Sequence, residues 1–326
     1  MRAWRVHRHG APAEALRLEE TPAPEPGPGR VRIRVGAAAL NLPDDRLCRG
    51  VYHLKPPLPF VPGLEVAGVI EAVGEGAEAS LGERVMAVTD LPHGGLAEAA
   101  LAFATNIYRV PDGMDDARAA GTLIPYQTGW FALHRRGALR PGETLLVHAG
   151  AGGVGTAAIQ LGVAAGARVL ATAGGPEKTA LCRELGAEVA IDYRSEDFVE
   201  RVLEATAGRG ADVIYDPVGG EVFHRSRKCI ANEGRLLVVG FASGELAEAP
   251  TNLILYRNYS VVGVYMGAYA GADALRLKRE VHEKLCELYA AGRFDPVVRR
   301  VAFEDVPRAI TDLAERRTVG KVVALP

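Results

Sequence analysis

The sequence predicts an α/β protein in which a doubly wound parallel sheet is joined to a second, mostly β domain. Three observations carry this. From Thr144 onward, short continuous apolar runs alternate with amphipathic helical windows, the signature of strands covered on both faces. Before about Thr122, short strands separated by Gly/Pro turns dominate, with few helical runs. Between the first buried run and the first helical window stands a glycine-rich turn, Gly150-Ala-Gly152-Gly153-Val-Gly155.

The N-terminal part begins with a Pro/Gly tract, Glu19 to Gly29, that sustains neither helix nor sheet and reads as a surface connection. Arg30 to Val35 alternates charged and β-branched residues, as a half-buried antiparallel strand does. Further strands are expected at Glu65 to Ala72 and Glu83 to Val88. Six buried strands then follow at Thr144 to His148, Arg168 to Thr172, Val189 to Asp192, Val213 to Asp216, Arg235 to Val239 and Ser260 to Val264. The helices between them are expected at Val154 to Ala165, Pro176 to Leu185 and Ser195 to Ala207, the last capped by Ser195. Two more helices, Ala272 to Ala291 and Glu304 to Arg316, precede a final strand, Lys321 to Leu325. These either extend the parallel sheet's domain or return to complete the first.

Composition narrows the function. The chain has 326 residues and a formal net charge of −2, so no basic field recruits nucleic acid or an anionic membrane. The apolar stretches are short or Gly-rich, below the roughly 20 residues that span a bilayer. The N-terminus has no apolar signal core. The four cysteines are scattered singly, which excludes a local zinc knuckle and fits a reduced, cytoplasmic compartment. Glycine, at 38 residues, exceeds the usual share of about 7% and marks places of positive φ or close approach.

The glycine turn supplies the chemistry. Gly150, Gly152 and Gly155 satisfy G-x-G-x-x-G with a strand before and a helix after, the context in which free amides at a helix start hold a pyrophosphate. The pattern reads as a Rossmann dinucleotide site, against the alternative of a packing turn without a ligand. An acidic residue ending the second strand would select NAD through the ribose 2′-hydroxyl. Here that stretch reads Ala171-Thr-Ala-Gly-Gly-Pro-Glu-Lys178 and the strand ends without a carboxylate, so Lys178 is the candidate partner of a 2′-phosphate and NADP(H) the expected cofactor. Tyr193, ending the third strand, either lies over the adenine ribose or caps the sheet.

The whole chain resembles the zinc-independent quinone oxidoreductases, the zeta-crystallin type of the medium-chain dehydrogenase/reductase superfamily. The resemblance rests on Asn41-Leu-Pro-Asp44 with Arg49-Gly-Val-Tyr52, on Leu58-Pro-Phe-Val-Pro-Gly63-Leu-Glu65-Val-Ala-Gly68, on Val73-Gly-Glu-Gly76, on the glycine turn, and on Gly320-Lys-Val-Val. It implies a GroES-like catalytic domain (1–122 and 265–326), a Rossmann NADP-binding domain (123–264), and a homodimer formed through the sixth strand. It places Asn41 near the nicotinamide ribose and Tyr52 beside the acceptor, where Tyr52 either orients an oxygen or merely packs. It makes Thr128, Gly152, Gly153, Val154, Thr172, Gly174, Lys178, Tyr193, Phe241, Ser243, Val264 and Gly267 the further cofactor contacts. Zinc relatives carry Cys near Asn41 and Gly-His-Glu where this chain has Gly63-Leu64-Glu65, so no metal site is expected. Arg46 either favours an anionic acceptor or pairs with Asp44 or Asp45. Asp216 and Glu65 are read as structural. The expected activity is hydride transfer from NADPH to a quinone or similar activated carbonyl. An NADPH-dependent enoyl-thioester or 2-alkenal reductase and an NADPH-binding crystallin-like protein stand as alternatives.

Overall fold

The structure, a computed structural model, describes residues 1–326. The chain divides into two compact units. The first comprises Met1–Ile124, Leu275–His282 and Pro296–Pro326, the second Pro125–Ala274 and Glu283–Asp295. Residues 265–274 and 283–295 therefore count with the second unit, beyond the 123–264 span read from the sequence.

The second unit is built on six strands: β1 (Thr144–Val147), β2 (Arg168–Ala173), β3 (Val189–Asp192), β4 (Ala211–Asp216), β5 (Ile230–Val238) and β6 (Ser260–Gly263). All pairings are parallel and the spatial order is β3-β2-β1-β4-β5-β6. This is the doubly wound order, with its switch point between β1 and β4. The apolar runs form strands because helices cover both faces. Leu146, Leu170, Ile191, Ile214 and Leu236 join Phe198, Val202, Phe223 and Tyr259 in one buried cluster. Helix α1 (Gly153–Ala164) follows β1, α2 (Pro176–Glu184) follows β2 with Pro176 in its first turn, and α3 (Phe198–Ala205) follows β3. Helix α4 (Glu221–Ser226) follows β4, and α5 (Thr251–Arg257) precedes β6.

Ser195 does not cap α3. The helix starts later, and the Asp197 carboxylate accepts the Val199 amide at 2.8 Å and the Glu200 amide at 3.4 Å. Ser195 instead closes a turn, its amide donating to the Asp192 carbonyl at 3.0 Å. Aspartate is the stronger cap here because its charge faces the positive end of the helix.

The first unit holds a seven-stranded sheet. Its path runs Val298–Ala302, Lys321–Leu325, Arg30–Ala39, Glu65–Val73, Arg84–Val88 and Ile107–Arg109, with Ala99–Phe103 also paired to Arg30–Ala39. The C-terminal strand lies antiparallel to Arg30–Ala39, with Val323 opposite Ala39. The tail thus completes this unit. Its core gathers Val31, Ile33, Phe60, Val66, Ile70, Val85, Phe303, Ile310 and Val322. Three short helices of this unit, Pro12–Ala15, Leu42–Cys48 and Asp116–Ala120, escaped the sequence reading. Leu42–Cys48 buries Leu47 and Cys48, and its start is fixed by the Asp44 carboxylate accepting the Asn41 amide at 2.7 Å. No helix is long and apolar enough to cross a membrane.

Replacing Asp197 with Ala should lower unfolding stability by about 1 kcal/mol, while Ser195→Ala should leave it within about 0.5 kcal/mol. Urea denaturation of the two variants checks the cap, and equal losses would contradict it.

Candidate active site

Parallel order has a direct consequence for the second unit: it brings the turns that follow β1, β2, β3, β5 and β6 to one edge of the sheet. Ten of the expected cofactor residues stand there. Gly152, Gly153 and Val154 lie in the turn after β1 and are half-exposed. Thr172 and Gly174 stand at the end of β2, Lys178 in the first turns of α2, and Tyr193 just after β3. Phe241 and Ser243 follow β5, and Val264 follows β6. Gly267 lies a few residues further, in the 3-10 turn Met266–Ala268. Thr128 is on the helix Leu123–Trp130.

The turn itself is tight. A Cβ on Gly155 would collide with the Ala149 carbonyl, and one on Gly150 would press on Cys182 Sγ at 2.9 Å and Ala171 Cβ at 3.0 Å. Gly152 differs, since the nearest atom to its missing Cβ is the Ala149 oxygen at 3.4 Å. Gly152 is the N-cap of α1 and no side chain caps it, so the first amides of a 12-residue helix face the edge of the sheet. Open space before uncapped amides is what a pyrophosphate requires. These residues fit a dinucleotide.

Beneath the turn lies a buried polar relay. Thr172 accepts the Gly150 amide on its carbonyl at 2.8 Å, and its hydroxyl meets His148 Nδ1 at 2.9 Å. His148 Nε2 meets the Ser226 hydroxyl at 2.9 Å, and that hydroxyl donates to the Val222 carbonyl at 2.7 Å. Because serine has one proton, Nε2 must donate to Ser226, and Nδ1 accepts from Thr172. Burial agrees: it pushes the His148 imidazole down to about 4 and keeps it neutral.

At the ends of β2 and β3 the chain assembles a cationic corner. Asp192 Oδ1 accepts the amides of Gly175 at 2.9 Å and Arg194 at 3.0 Å, folding the two turns together. The Tyr193 hydroxyl and Arg194 Nε lie over Gly174, 2.6 and 3.1 Å from where its Cβ would be. Burial, and then the neighbouring Arg194 guanidinium, lower the Lys178 ammonium from the ordinary lysine range. No carboxylate ends β2. Arg194 was missed in the sequence, although a cation directly after Tyr193 is a readable signal. Gln127 was missed as well: its Nε2 is buried without a partner in the protein, beside Thr128 in the chain.

In the first unit, Asn41 is half-buried. Its Nδ2 donates to the Ala39 carbonyl at 3.2 Å and approaches Glu65 at 3.4 Å, and its Oδ1 accepts from Lys321 Nζ at 2.5 Å. Glu65 is fully buried, accepts the Ile124 amide at 2.6 Å, and pairs with Lys321 at 3.1 Å. Burial raises its pKa, opposed by Lys321. Asp44, also buried, accepts the amides of Asn41 and Gly63 at 2.7 and 3.0 Å, and burial raises it to about 6. Asp45 is held by Arg49 at 2.9 Å. Both carboxylates considered for Arg46 thus have strong partners of their own. Tyr52 is half-buried against this unit's core, its ring 4.2 Å from that of His53. Asp216, read as structural, holds the amides of Val218 and Gly219 at 2.8 and 3.0 Å. Leu64 has no donor, the Asn41 amide is a poor zinc ligand, and Lys321 already neutralises Glu65. This set does not fit zinc.

A GroES-like sheet and a Rossmann unit with an open phosphate turn define a two-domain nucleotide-dependent dehydrogenase or reductase. Comparison with known proteins agrees. The family described as "Alcohol dehydrogenase GroES-like domain" matches residues 27–112, and "Zinc-binding dehydrogenase" matches 153–290. The chain is 38% identical to the quinone oxidoreductase-like protein 2 homolog of Nematostella vectensis over 88% of this chain and 79% of that one. It superposes on Escherichia coli quinone oxidoreductase, solved in complex with NADPH, with a TM-score of 0.89 at 28% identity, covering both chains completely. The enoyl reductase CurK matches with a TM-score of 0.87 at 25% identity, covering 99% of this chain and 98% of that one. The chain belongs to the quinone oxidoreductase family of the medium-chain dehydrogenase/reductase superfamily.

The His148 relay carries a pH signature. Its folded-state pKa lies below the unfolded value of about 6.5, so the unfolded chain takes up the proton first and stability falls as pH drops from 6.5 toward 4. The loss attributable to His148 should reach roughly 3 kcal/mol near pH 4. His148→Gln should remove that part of the slope in denaturant titrations between pH 7 and 4, and an unchanged slope would refute it.

Proposed function

We propose that this protein is an NADPH-dependent reductase of quinones and similar activated carbonyl acceptors that transfers hydride without zinc. The observation that carries the reading is the cationic corner of Lys178 and Arg194 beside a β2 end that lacks a carboxylate. It favours a 2′-phosphate where an acidic residue would favour a free 2′-hydroxyl. The NADPH complex of the Escherichia coli relative supports it.

In this reading residues 123–264 bind NADP(H), and residues 1–122 with 265–326 form the catalytic domain. The amides of Gly152, Gly153 and Val154 hold the pyrophosphate. Lys178 and Arg194 clamp the 2′-phosphate, and Tyr193 flanks the adenine ribose. Thr172 and Gly174 form the floor of this half. Thr128, Phe241, Ser243, Val264 and Gly267 flank the nicotinamide half, and Asn41 bonds its ribose. Bound NADPH supplies the hydride. The remaining work is positional, since quinones are already electrophilic: hold the acceptor in line, exclude water, and present the Tyr52 hydroxyl to its oxygen. The likeness to CurK favours one second reading, reduction of an enoyl thioester, which needs the same cofactor geometry plus a proton for the α-carbon.

We also propose a homodimer. Strand β6 is an open sheet edge, and α5 beside it buries none of its residues, leaving Leu255 70% and Tyr256 74% exposed. A second copy of this surface would cover both. Leu255→Glu with Tyr256→Glu should convert a dimer to a monomer in sedimentation, and a monomeric wild type would refute the assignment.

Assays of NADPH and NADH oxidation with 1,4-benzoquinone, 9,10-phenanthrenequinone, crotonyl-CoA and a 2-alkenal test the activity. Quinone turnover with NADPH should dominate and be indifferent to chelator. Preference for NADH would sink the cofactor assignment, chelator sensitivity the zinc-free one, and preference for crotonyl-CoA would favour the second reading. Lys178→Ala and Arg194→Ala should each raise KM for NADPH about tenfold or more, through loss of a charge-assisted bond of about 1.5–3 kcal/mol, and leave KM for NADH nearly unchanged. Tyr52→Phe should lower kcat/KM for quinones, and identical kinetics would remove Tyr52 from the mechanism.

A further inference from the structure

Hydride transfer to an activated acceptor does not require the buried charges of the first unit. Lys321 opens an otherwise apolar strand, and its side chain is only 7% exposed, against 0% for Glu65. Asp44 is buried beside them. Taking such groups out of water is costly for each ion unless geometry and hydrogen bonding repay it, and apolar replacements of similar size often serve stability as well. A buried pair of this kind is explained better by what it specifies than by what it stabilises.

What it specifies is the Asn41 carboxamide. An ammonium only donates and a carboxylate only accepts, so a carboxamide between them has one orientation. Oδ1 faces Lys321 at 2.5 Å, and Nδ2 faces the Ala39 carbonyl at 3.2 Å and Glu65 at 3.4 Å. Both Nδ2 protons are spent, and the Asp44 amide that faces the side chain at the helix start donates to the Asn41 backbone carbonyl at 2.9 Å, so Oδ1 retains one lone pair. The side chain can offer a ligand an acceptor and nothing else.

We propose that Lys321 is a positioning residue: with Glu65 it fixes the Asn41 carboxamide so that its remaining Oδ1 lone pair accepts from a hydroxyl of the nicotinamide ribose. The proposal rests on the reading of Asn41 as a nicotinamide-side residue. Without Lys321 the amide is released to rotate, and the acceptor is no longer held in place. Arginine at this position would restore a donor and a charge, methionine neither.

The test is equilibrium binding. NADPH is titrated by its fluorescence, and adenosine 2′,5′-bisphosphate, which keeps the 2′-phosphate and lacks the nicotinamide ribose, by displacement. The proteins are wild type, Asn41→Ala, Lys321→Arg, the pair Lys321→Met with Glu65→Gln, and that pair combined with Asn41→Ala. Replacing both members of the ion pair together leaves neither of them unpaired, and buried Asp44 keeps the amides of Asn41 and Gly63, so the fold is retained. Asn41→Ala and the charge-free pair should each raise the NADPH Kd about three- to tenfold, the size expected of one hydrogen bond. Their combination should be no worse than either, Lys321→Arg should stay within about threefold of wild type, and the bisphosphate Kd should not move. The proposal is overturned if the charge-free pair binds NADPH normally while Asn41→Ala does not, if the two losses multiply, or if both ligands weaken together. If Asn41→Ala itself binds NADPH normally, the reading of Asn41 has failed and the proposal falls with it.

Discussion

The second unit depends on how closely the start of α1 approaches the end of β1. Gly155 has no Cβ because the Ala149 carbonyl occupies that space, and Gly150 lies against Cys182, Ala171 and Ile159. Any side chain at either position would lift the helix from the sheet. With the helix seated, its uncapped amides meet the edge of the sheet at Gly152, the one glycine of the three with room in front of it. Parallel pairing then delivers the ends of β2, β3, β5 and β6 to the same edge, and the His148 relay holds the β2 end against the turn through Thr172. Tight packing falls to Gly150 and Gly155, and the open space before the helix amides to Gly152, so one motif divides the two demands among different glycines.

The first unit is organised by the opposite device, charge placed where packing alone would do. Most ion pairs of the chain are exposed and contribute little to stability. Lys321 and Glu65 are the exception, and they join strands from opposite ends of the chain, so the surroundings of Asn41 exist only once the C-terminal strand has docked on Arg30–Ala39. Removing one partner alone would strand a buried charge at a cost of roughly 3–5 kcal/mol. Formation of the fold and preparation of the Asn41 carboxamide are therefore the same event.

These two devices were not equally legible. Strand periodicity gave all six strands of the parallel sheet, because burial on both faces leaves an unbroken apolar run, and β3 fell on the residues expected. Boundaries drifted where polar residues belong to a strand. Arg30–Ala39 continues past Val35 through Gly36, and β5 begins five residues before Arg235, at Ile230. The cap of α3 was misplaced because Ser195 and Asp197 are both good N-caps and only geometry chooses between them. The helix Leu42–Cys48 was hidden by its shortness and by Pro43. The glycine turn and the position of Lys178 at the start of α2 could be read from local spacing, since one strand and one helix define them. Arg194, directly after Tyr193, left a signal of the same local kind that went unread, whereas Lys321 left none, because it matters through residues distant in sequence. A lone lysine in the run Lys-Val-Val-Ala-Leu and a lone glutamate at the head of another apolar strand are separate anomalies until the sheet brings them together.

The donor chemistry of the first unit bears on which substrates suit the proposed reaction. Where zinc relatives carry cysteine and histidine, this chain has an amide and leucine, and the remaining carboxylate is neutralised by an ammonium the protein itself supplies. In the proposed reaction no Lewis acid lowers the pKa of an alcohol, and the chemistry draws on the electrophilicity of the acceptor. Quinones and enones bring that property with them. Under the proposal the second unit's fixed polar groups serve parts of the cofactor away from the hydride: helix amides the pyrophosphate, and Lys178 and Arg194 the 2′-phosphate. Recognition in this scheme is electrostatic and remote from the reacting carbon, while the reacting carbon is governed by position alone, which is how one scaffold could serve acceptors as different as a quinone and an enoyl thioester.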